Sequence, residues 1–397
     1  MDFGFGEKAE AFRKEIRRFV ADELPADHIG LFFTEEHFDA HWAFSMEIAR
    51  KLAKKGWLTL SWPKAYGGIG ADFWEQIVFA EEVGYWGIPG TGMGVSGTAW
   101  VGPTLMLYGT DAQKQKYLPP IAAGADDGVW CTGYSEPDAG SDLASLQTTA
   151  LKNKDHYVIN GQKVWTSAAH RARWCWLACR TDPHATKKHH GISIIIVDLK
   201  SPGVTIRPIP NLVGQHYFNE IFFSDVVVPV ENRVGPENEG WKVIMKALSF
   251  ERGIAVRYGA RLWRVLEELF TYVRSEGYME NPLVRQRLSG LAVDIHALRL
   301  NAYETAWKQY TGKTIIYEPA RDKASLDELM ERVGRVGTEL LGAYSQIDPS
   351  REHRGWARVK SAVENIYWAA PGLSIAAGTT DTMRNIVARF GLQLPVP

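Results

Sequence analysis

Cysteine is scarce, charge is balanced and long apolar runs are missing from this 397-residue chain, and each shortage closes off a class of protein. Cys131, Cys175 and Cys179 are an odd number without paired metal spacing. Neither a disulfide framework nor a zinc module is expected, and the three are read as reduced core residues of a cytoplasmic protein. The formal net charge of -1 gives no support to nucleic-acid binding. The longest apolar run, residues 192–197, is far too short to cross a bilayer, and the N-terminus is charged from its second residue, unlike a secretion signal. No membrane association is expected. Walker A, G-x-S-x-G and zinc-ligand spacings are absent as well, so no metal site is expected. One G-x-G-x-x-G, Gly92 to Gly97, follows no predicted strand and has no βαβ unit around it, which disqualifies it as a dinucleotide fingerprint.

What is present is a packed globular chain, 45% apolar with fifteen tryptophans. Its period changes twice. Residues 7–124 carry helical spacing, with breakers at Pro25, Trp62-Pro63 and Tyr66-Gly67-Gly68, and with Thr110 or Asp111 as the cap of a short helix ending before Pro119. Short β-like runs then follow up to Val230, with Asn160-Gly161 reading as a two-residue hairpin turn. From Asn238 the helical period returns, in stretches 240–275, 283–310, 325–344, 352–368 and 380–390. The fold class is therefore α+β and mostly α: an N-terminal helical domain (1–125), a middle antiparallel, barrel-like β domain (126–236) and a C-terminal four-helix bundle (237–397).

Four stretches invite chemistry. On the predicted helix 240–275, Glu251 falls in the apolar stripe of Ile244, Leu248, Ala255, Tyr258 and Leu262. A carboxylate there is either a general base or the ion-pair partner of Arg252. Residues 132–145 leave a strand carrying hydroxyls at Thr132, Ser135 and Ser141 beside small residues, which suits a phosphate or a polar heterocycle, or is an ordinary turn. Residues 161–167 place Trp165 before Thr166 and Ser167, either a wall for a flat ring or a core tryptophan. The loop 181–190, with His184, His189 and His190, is read as a solvated hairpin tip rather than a metal site.

Taken together these stretches resemble the acyl-CoA dehydrogenase family over nearly the whole chain. The resemblance rests on Tyr134-Ser-Glu-Pro-Asp-Ala-Gly-Ser-Asp142, Asn160-Gly-Gln-Lys-Val-Trp165-Thr-Ser167, Trp62-Pro-Lys-Ala-Tyr-Gly-Gly68, Tyr108-Gly-Thr110, Asn219-Glu-Ile-Phe-Phe-Ser-Asp225 and Gly378-Thr379 with Arg384. It implies FAD, with Thr132, Tyr134 and Ser135 along the flavin, Trp165 and Ser167 flanking its ring, and Ser141 near the pyrophosphate or the pantetheine entrance. Arg274 resembles the arginine that reaches the cofactor of an adjoining subunit, and Thr379 and Asp381 complete the implied cofactor set. Gly378 and Arg252 are implied on the substrate side.

Many family members carry their base in Tyr-Glu-Gly-Thr, where this chain reads Ala376-Ala377-Gly378-Thr379. The isovaleryl- and long-chain-type members place it at the position matching Glu251. The implied reaction is α-proton abstraction by Glu251 with hydride transfer to flavin N5, converting an acyl-CoA into a trans-2-enoyl-CoA. The implied acceptor is an electron-transfer flavoprotein, and the implied assembly is a homotetramer or homodimer, with a heterotetramer as found among bacterial relatives that act on steroid thioesters. The alternatives are a flavin oxidase or monooxygenase of the same fold, or one subunit of a heteromeric dehydrogenase.

Overall fold

The computed structural model describes residues 4–26, 28, 39–91, 96–212, 216–250, 254–347, 359 and 362–395, the Ile254 side chain excepted. They fold as two compact units, one made of residues 1–34, 72–88 and 252–397, the other of 35–71 and 89–251.

The second unit is built on an eight-stranded sheet ordered β6-β7-β3-β2-β4-β5-β8, with β1 on β4. The strands are β1 (Trp130–Gly133), β2 (Thr149–Asn153), β3 (His156–Lys163), β4 (Trp174–Arg180), β5 (Ile192–Asp198), β6 (Val204–Pro210), β7 (His216–Pro229) and β8 (Arg233–Val234). The sheet is mixed, because β1 and β2 run parallel to β4, and open, where the sequence suggested an antiparallel barrel. Alternate residues of β4 feed two apolar clusters: Cys175, Leu177 and Cys179 join one, Trp176 and Ala178 the other. A strand buried on both faces reads as a continuous apolar run. All three cysteines are free and buried, and Cys131 lies opposite Cys175 in the β1–β4 register.

The Asn160-Gly161 hairpin is not formed. Strand β3 runs straight through it and pairs with β7 on both sides of a register shift between Ile159 and Gly161, while the β2–β3 turn comes earlier, at left-handed Lys154. Two contacts outweigh the turn preference. A Cβ at Gly161 would stand 2.5 Å from Thr148 Oγ1, so the glycine marks a close approach. Asn160 exchanges side-chain hydrogen bonds with Asp225 across the sheet, Nδ2 donating to Oδ1 at 3.0 Å and Oδ1 accepting the Asp225 N–H at 2.9 Å.

Three helices of this unit are α2 (Trp42–Lys54), α4 (Gly102–Tyr108) and α5 (Asp111–Ala123). Thr110 caps α5 in a box with Gln113, and the helix continues through Pro119 and Pro120 to left-handed Gly124. The two missing N–H donors are tolerated because Leu118, Ile121 and Ala122 are buried there. The predicted helix 240–275 is described as α6 (Gly240–Ser249) in this unit and α7 (Ile254–Ser275) in the other. Glu251 and Arg252 lie outside the described residues, as does part of Gly92–Gly97.

The first unit holds α1 (Glu7–Glu23), α3 (Phe73–Trp86), α7, α8 (Pro282–Tyr310), α9 (Glu318–Leu341), α10 (Ala362–Leu373) and α11 (Thr380–Ile386). Arg13 pairs with Glu81 at 2.9 Å and Glu82 at 2.7 Å, and Arg17 reaches Glu82 at 3.0 Å, bolting α1 to α3. Helix α9 starts seven residues before the predicted 325, at a turn where Glu318 accepts the Ile316 and Tyr317 N–H groups and binds Lys308. At Gly84 a Cβ would stand 2.0 Å from the Arg257 carbonyl oxygen, so α3 and α7 meet backbone to backbone.

Two outcomes follow from this packing. Gly84→Ala gains about 1 kcal/mol of helix propensity but drives a methyl into rigid backbone, a cost at or above the ~3 kcal/mol upper end of overpacking. A lowered denaturation midpoint with an unchanged m-value is expected, and a rise would refute the contact. Glu364 on α10 is 4% exposed, and among the described residues neither carboxylate oxygen has a hydrogen-bond partner. Burial pushes its carboxyl from 4.5 up to about 7. Below the unfolded value both states are protonated. As pH rises, the unfolded carboxyl ionises first and stability falls, by on the order of 3 kcal/mol once pH exceeds the folded value. Glu364→Gln should therefore melt higher than the parent by a margin that widens between pH 5 and pH 8; a constant margin would refute the burial.

Candidate active site

Two segments flagged in the sequence are welded into one surface. Strand β1 delivers Thr132 to a loop whose first turn is closed by paired backbone hydrogen bonds between Glu136 and Ala139 at 3.0 and 3.1 Å. Beneath that turn Lys163, fully buried at the end of β3, donates from Nζ to Glu136 Oε1 at 2.8 Å and to the Tyr134 carbonyl at 2.9 Å. Glu136 also accepts the Gln147 and Thr148 N–H groups, at 2.6 and 2.9 Å. Burial alone would raise its carboxyl, but the Lys163 ammonium and these donors outweigh burial and hold it below its ordinary value. The next residue, Val164, donates its N–H to the Ser135 carbonyl at 2.9 Å. Tyr134 and Ser135 are thereby fixed beside the strand that leads to Trp165.

Trp165 and Ala168 both adopt left-handed backbone, φ 58° and 57°. Such a conformation costs a residue with a Cβ on the order of 1 kcal/mol and persists only where neighbours enforce it. Asn219, fully buried on β7, is the enforcer. Its Nδ2 donates to the Thr166 carbonyl at 3.0 Å and its carbonyl accepts the Thr166 N–H at 3.0 Å, while Ala168 N–H bonds the Tyr217 carbonyl at 2.8 Å. The strained turn pushes the Trp165 indole outward, 59% exposed, with its edge on Phe218 at 6.0 Å. Thr132, Tyr134, Ser135 and Ser167 are half-buried, and Ser141 is exposed on the loop beyond. The Thr166 hydroxyl is buried without a hydrogen-bond partner among the described residues. A displayed aromatic face, flanking hydroxyls and an orphan buried donor fit a flat, polar-rimmed ring such as a flavin's.

Sequence reasoning missed a network behind this turn. His170 and His216 stack at 3.8 Å; His170 Nε2 lies 3.0 Å from Asp39 Oδ1, and His216 Nε2 lies 2.7 Å from Asn219 Oδ1. Asp39, His170 and His216 bring three potential metal-ligand atoms within 4.8 Å of one another. Arg171 donates to the same Asp39 oxygen at 2.8 Å, however, so a guanidinium already occupies the lone pair a cation needs. The cluster reads as a support for Asn219. Its members are separated by up to 177 residues in sequence, and no local pattern joins them.

In the other unit, Thr379 caps α11 by accepting the Thr382 N–H at 3.1 Å, directly after left-handed Ala377 and Gly378. A Cβ at Gly378 would collide with Met383 Cε at 2.2 Å. Thr380 Oγ1 donates to buried Asp327 at 3.0 Å, which Lys323 also binds, while Asp381 points to solvent. Arg274 is exposed in the last turn of α7, and no described hydrogen bond or ion pair joins it to the Gly378–Asp381 turn.

The chain matches three family profiles in order: acyl-CoA dehydrogenase N-terminal domain over residues 6–125, middle domain over 131–226 and C-terminal domain over 238–392. It is 34% identical to acyl-CoA dehydrogenase IpdE1 of Mycobacterium tuberculosis over 97% of this chain and 98% of that protein. It is also 34% identical to acyl-CoA dehydrogenase FadE26 of the same organism, over 100% and 99%. Among solved structures it superposes on the Tcur3481-Tcur3483 steroid ACAD with a TM-score of 0.88 at 35% identity, covering 100% of both chains. The ChsE4-ChsE5 complex of Mycobacterium tuberculosis gives 0.87 at 32%, again over 100% of both. Among the described residues no helix is long and apolar enough to cross a membrane. With profile matches from residue 6 to residue 392 and relatives alike along their full length, the chain belongs to the acyl-CoA dehydrogenase family of FAD-dependent oxidoreductases.

Proposed function

We propose that this chain is the base-bearing subunit of an acyl-CoA dehydrogenase acting on bulky, steroid-type thioesters, with Glu251 removing the α-proton. The observation that carries the reading is the turn before α11. Its residues Ala376 and Ala377 present methyl groups, and the first acid after them, Asp381, is exposed one helical turn on. The base must then come from elsewhere, and Glu251 is the acid that the apolar stripe of Ile244, Leu248 and Ala255 singles out.

When bound, FAD supplies the acceptor for the β-hydrogen as hydride. Trp165, Ser167, Thr132, Tyr134 and Ser135 would hold its ring, and Arg274, Thr379 and Asp381 its remaining parts. The work of this chain is to exclude water, to place the substrate α-carbon beside the Glu251 carboxylate and to accept its proton there; Arg252 and the Gly378 backbone would orient the thioester. The substrate class is supported by a relative described as a steroid ACAD. A two-protein assembly is supported by the paired names of two structural neighbours, and an electron-transfer flavoprotein would take up the electrons.

Anaerobic flavin bleaching tests this. Purified with FAD, and with a partner chain where one is needed, the protein should bleach with a steroid side-chain acyl-CoA, and Glu251→Gln should retain the flavin yet bleach at least 1,000-fold more slowly, in line with losing a catalytic base that cannot be replaced. Parental rates in that variant would rule out Glu251; bleaching only with short straight-chain thioesters would rule out the substrate class. Lys163→Met strands the Glu136 charge in the interior and frees the Tyr134 carbonyl. A loss of about 3–5 kcal/mol in stability is expected, with weaker FAD retention, read by calorimetry and by flavin content after gel filtration.

A further inference from the structure

The buried Asn219 amide fixes more than the Thr166 backbone. Its Nδ2 faces the Thr166 carbonyl at 3.0 Å, the Tyr217 carbonyl at 3.2 Å and His170 Nδ1 at 3.3 Å, while Oδ1 lies 2.7 Å from His216 Nε2. Carbonyl oxygens accept and cannot donate, so the amide cannot be turned round: an oxygen in place of Nδ2 would confront two carbonyls. That orientation dictates the state of both imidazoles. His216 carries a proton on Nε2 and donates it to the Asn219 oxygen. His170 Nδ1, which faces the amide hydrogens, presents a lone pair, and its ring proton sits on Nε2, 3.0 Å from Asp39 Oδ1. One directed chain results, from His216 through Asn219 and His170 to Asp39.

Such a chain has no place for a second proton on His170. At Nδ1 it would set N–H against N–H. Its charge would lie against the stacked His216 ring, 3.8 Å away, and beside Arg171, which donates to the same Asp39 oxygen at 2.8 Å. Asp39, Arg171 and His216 are the titratable or charged groups that face His170 among the described residues. Burial lowers the imidazole from its ordinary value of 6.5, and His216 and Arg171 act in the same direction; Asp39 opposes them without prevailing. The unfolded chain therefore takes up this proton first, and the folded state loses stability as pH falls below the ordinary value. The chain also ends on strained backbone. Trp165 and Ala168 hold φ of 58° and 57°, and the Tyr217 carbonyl that accepts from Nδ2 accepts the Ala168 N–H as well, at 2.8 Å. Turning the amide away from His170 would loosen both residues at once.

We propose that His170 is a positioning residue for the flavin: in its neutral Nε2–H form it accepts from Asn219 and so holds the Trp165–Ala168 turn against the ring, and on gaining a proton at Nδ1 it releases the turn and loosens the cofactor. The inference rests on the reading that Trp165 and Ser167 flank the flavin. His170 acts through Asn219 and the Thr166 backbone, so its influence is on where the ring is held and how tightly, and it takes no part in the proton or hydride transfer itself.

Two measurements on the FAD-loaded protein between pH 7.5 and pH 5.5 test this. One is FAD release, read from the fluorescence of the freed cofactor. The other is amide hydrogen exchange of residues 164–168, read by mass spectrometry and corrected for the intrinsic pH dependence of exchange. In the parent the FAD dissociation constant should rise about tenfold on acidification, the equivalent of losing one or two buried hydrogen bonds, with exchange rising in step. His170→Asn keeps an acceptor near the Nδ1 position and cannot take up a proton; its dissociation constant should change less than about twofold over the same range. Arg171→Gln removes a positive neighbour of the imidazole and should move the acid step to higher pH, a displacement that damage to the fold would not give. An acid step that persists in His170→Asn, or that stays in place in Arg171→Gln, overturns the proposal. Exchange that follows His170 while FAD release does not would sink the placing of Trp165 against the flavin and leave the turn's dependence on His170 standing. FAD release that varies with pH while exchange stays constant would overturn the role of His170 and leave that placing intact.

Discussion

An ammonium and a carboxylate buried against each other underlie the surface that presents Tyr134, Ser135 and Trp165. Lys163 is fully buried and Glu136 nearly so, and each fills the other's hydrogen-bonding need while reaching a neighbouring backbone group. A buried ion pair is poor value as a source of stability, since desolvating two charges consumes most of what their attraction returns. What it supplies here is geometry. The pair spans 27 residues of sequence and joins a loop leaving β1 to the strand end of β3, and once it is formed the Val164 to Ser135 hydrogen bond falls into register. The same logic recurs at Asn219, which clasps both backbone groups of Thr166 while the Tyr217 carbonyl accepts the Ala168 N–H, so that Trp165 and Ala168 keep backbone conformations they would not adopt alone.

Much of this was legible in the sequence, and the failures have physical causes. The changes of period marked helices, then strands, then helices, because apolar spacing reports which faces are buried. The Asn160-Gly161 reading failed because a dipeptide's turn preference is a local quantity of the order of 1 kcal/mol, and the cross-sheet exchange between Asn160 and Asp225, together with the close approach to Thr148, decided otherwise. Helix α5 runs past its prolines for the same kind of reason: burial of Leu118 and Ile121 outweighs two lost hydrogen bonds.

The candidate site divides along similar lines. Hydroxyls and the aromatic residue at 132–135 and 165–167 could be flagged because they cluster in short stretches, and the structure joins those stretches. Asp39, His170, His216 and the bonding of Asn219 could not, since what relates them is sheet register and loop closure rather than spacing. The histidine loop was read as a solvated tip, and its residues are indeed exposed; what the sequence could not reveal is that Arg180 reaches up through four carbonyls to fasten it to the neighbouring loop.

The interleaving of the two units carries a consequence for how the molecule is made. Helices α1 and α3 belong with segments that leave the ribosome more than 160 residues later, after the whole sheet. Arg13 and Arg17 of α1 can meet Glu82 early, but the apolar faces of α1 and α3, and the Arg299 partner of Glu81, must wait for α7 and α8, so the nascent chain passes through a stage in which the sheet-bearing half can condense while the helical half exists as two separated segments. Long-range closure of this kind slows folding and prolongs the exposure of sticky surface. In this protein that exposure spans the interval between synthesis of the first helix and of the last.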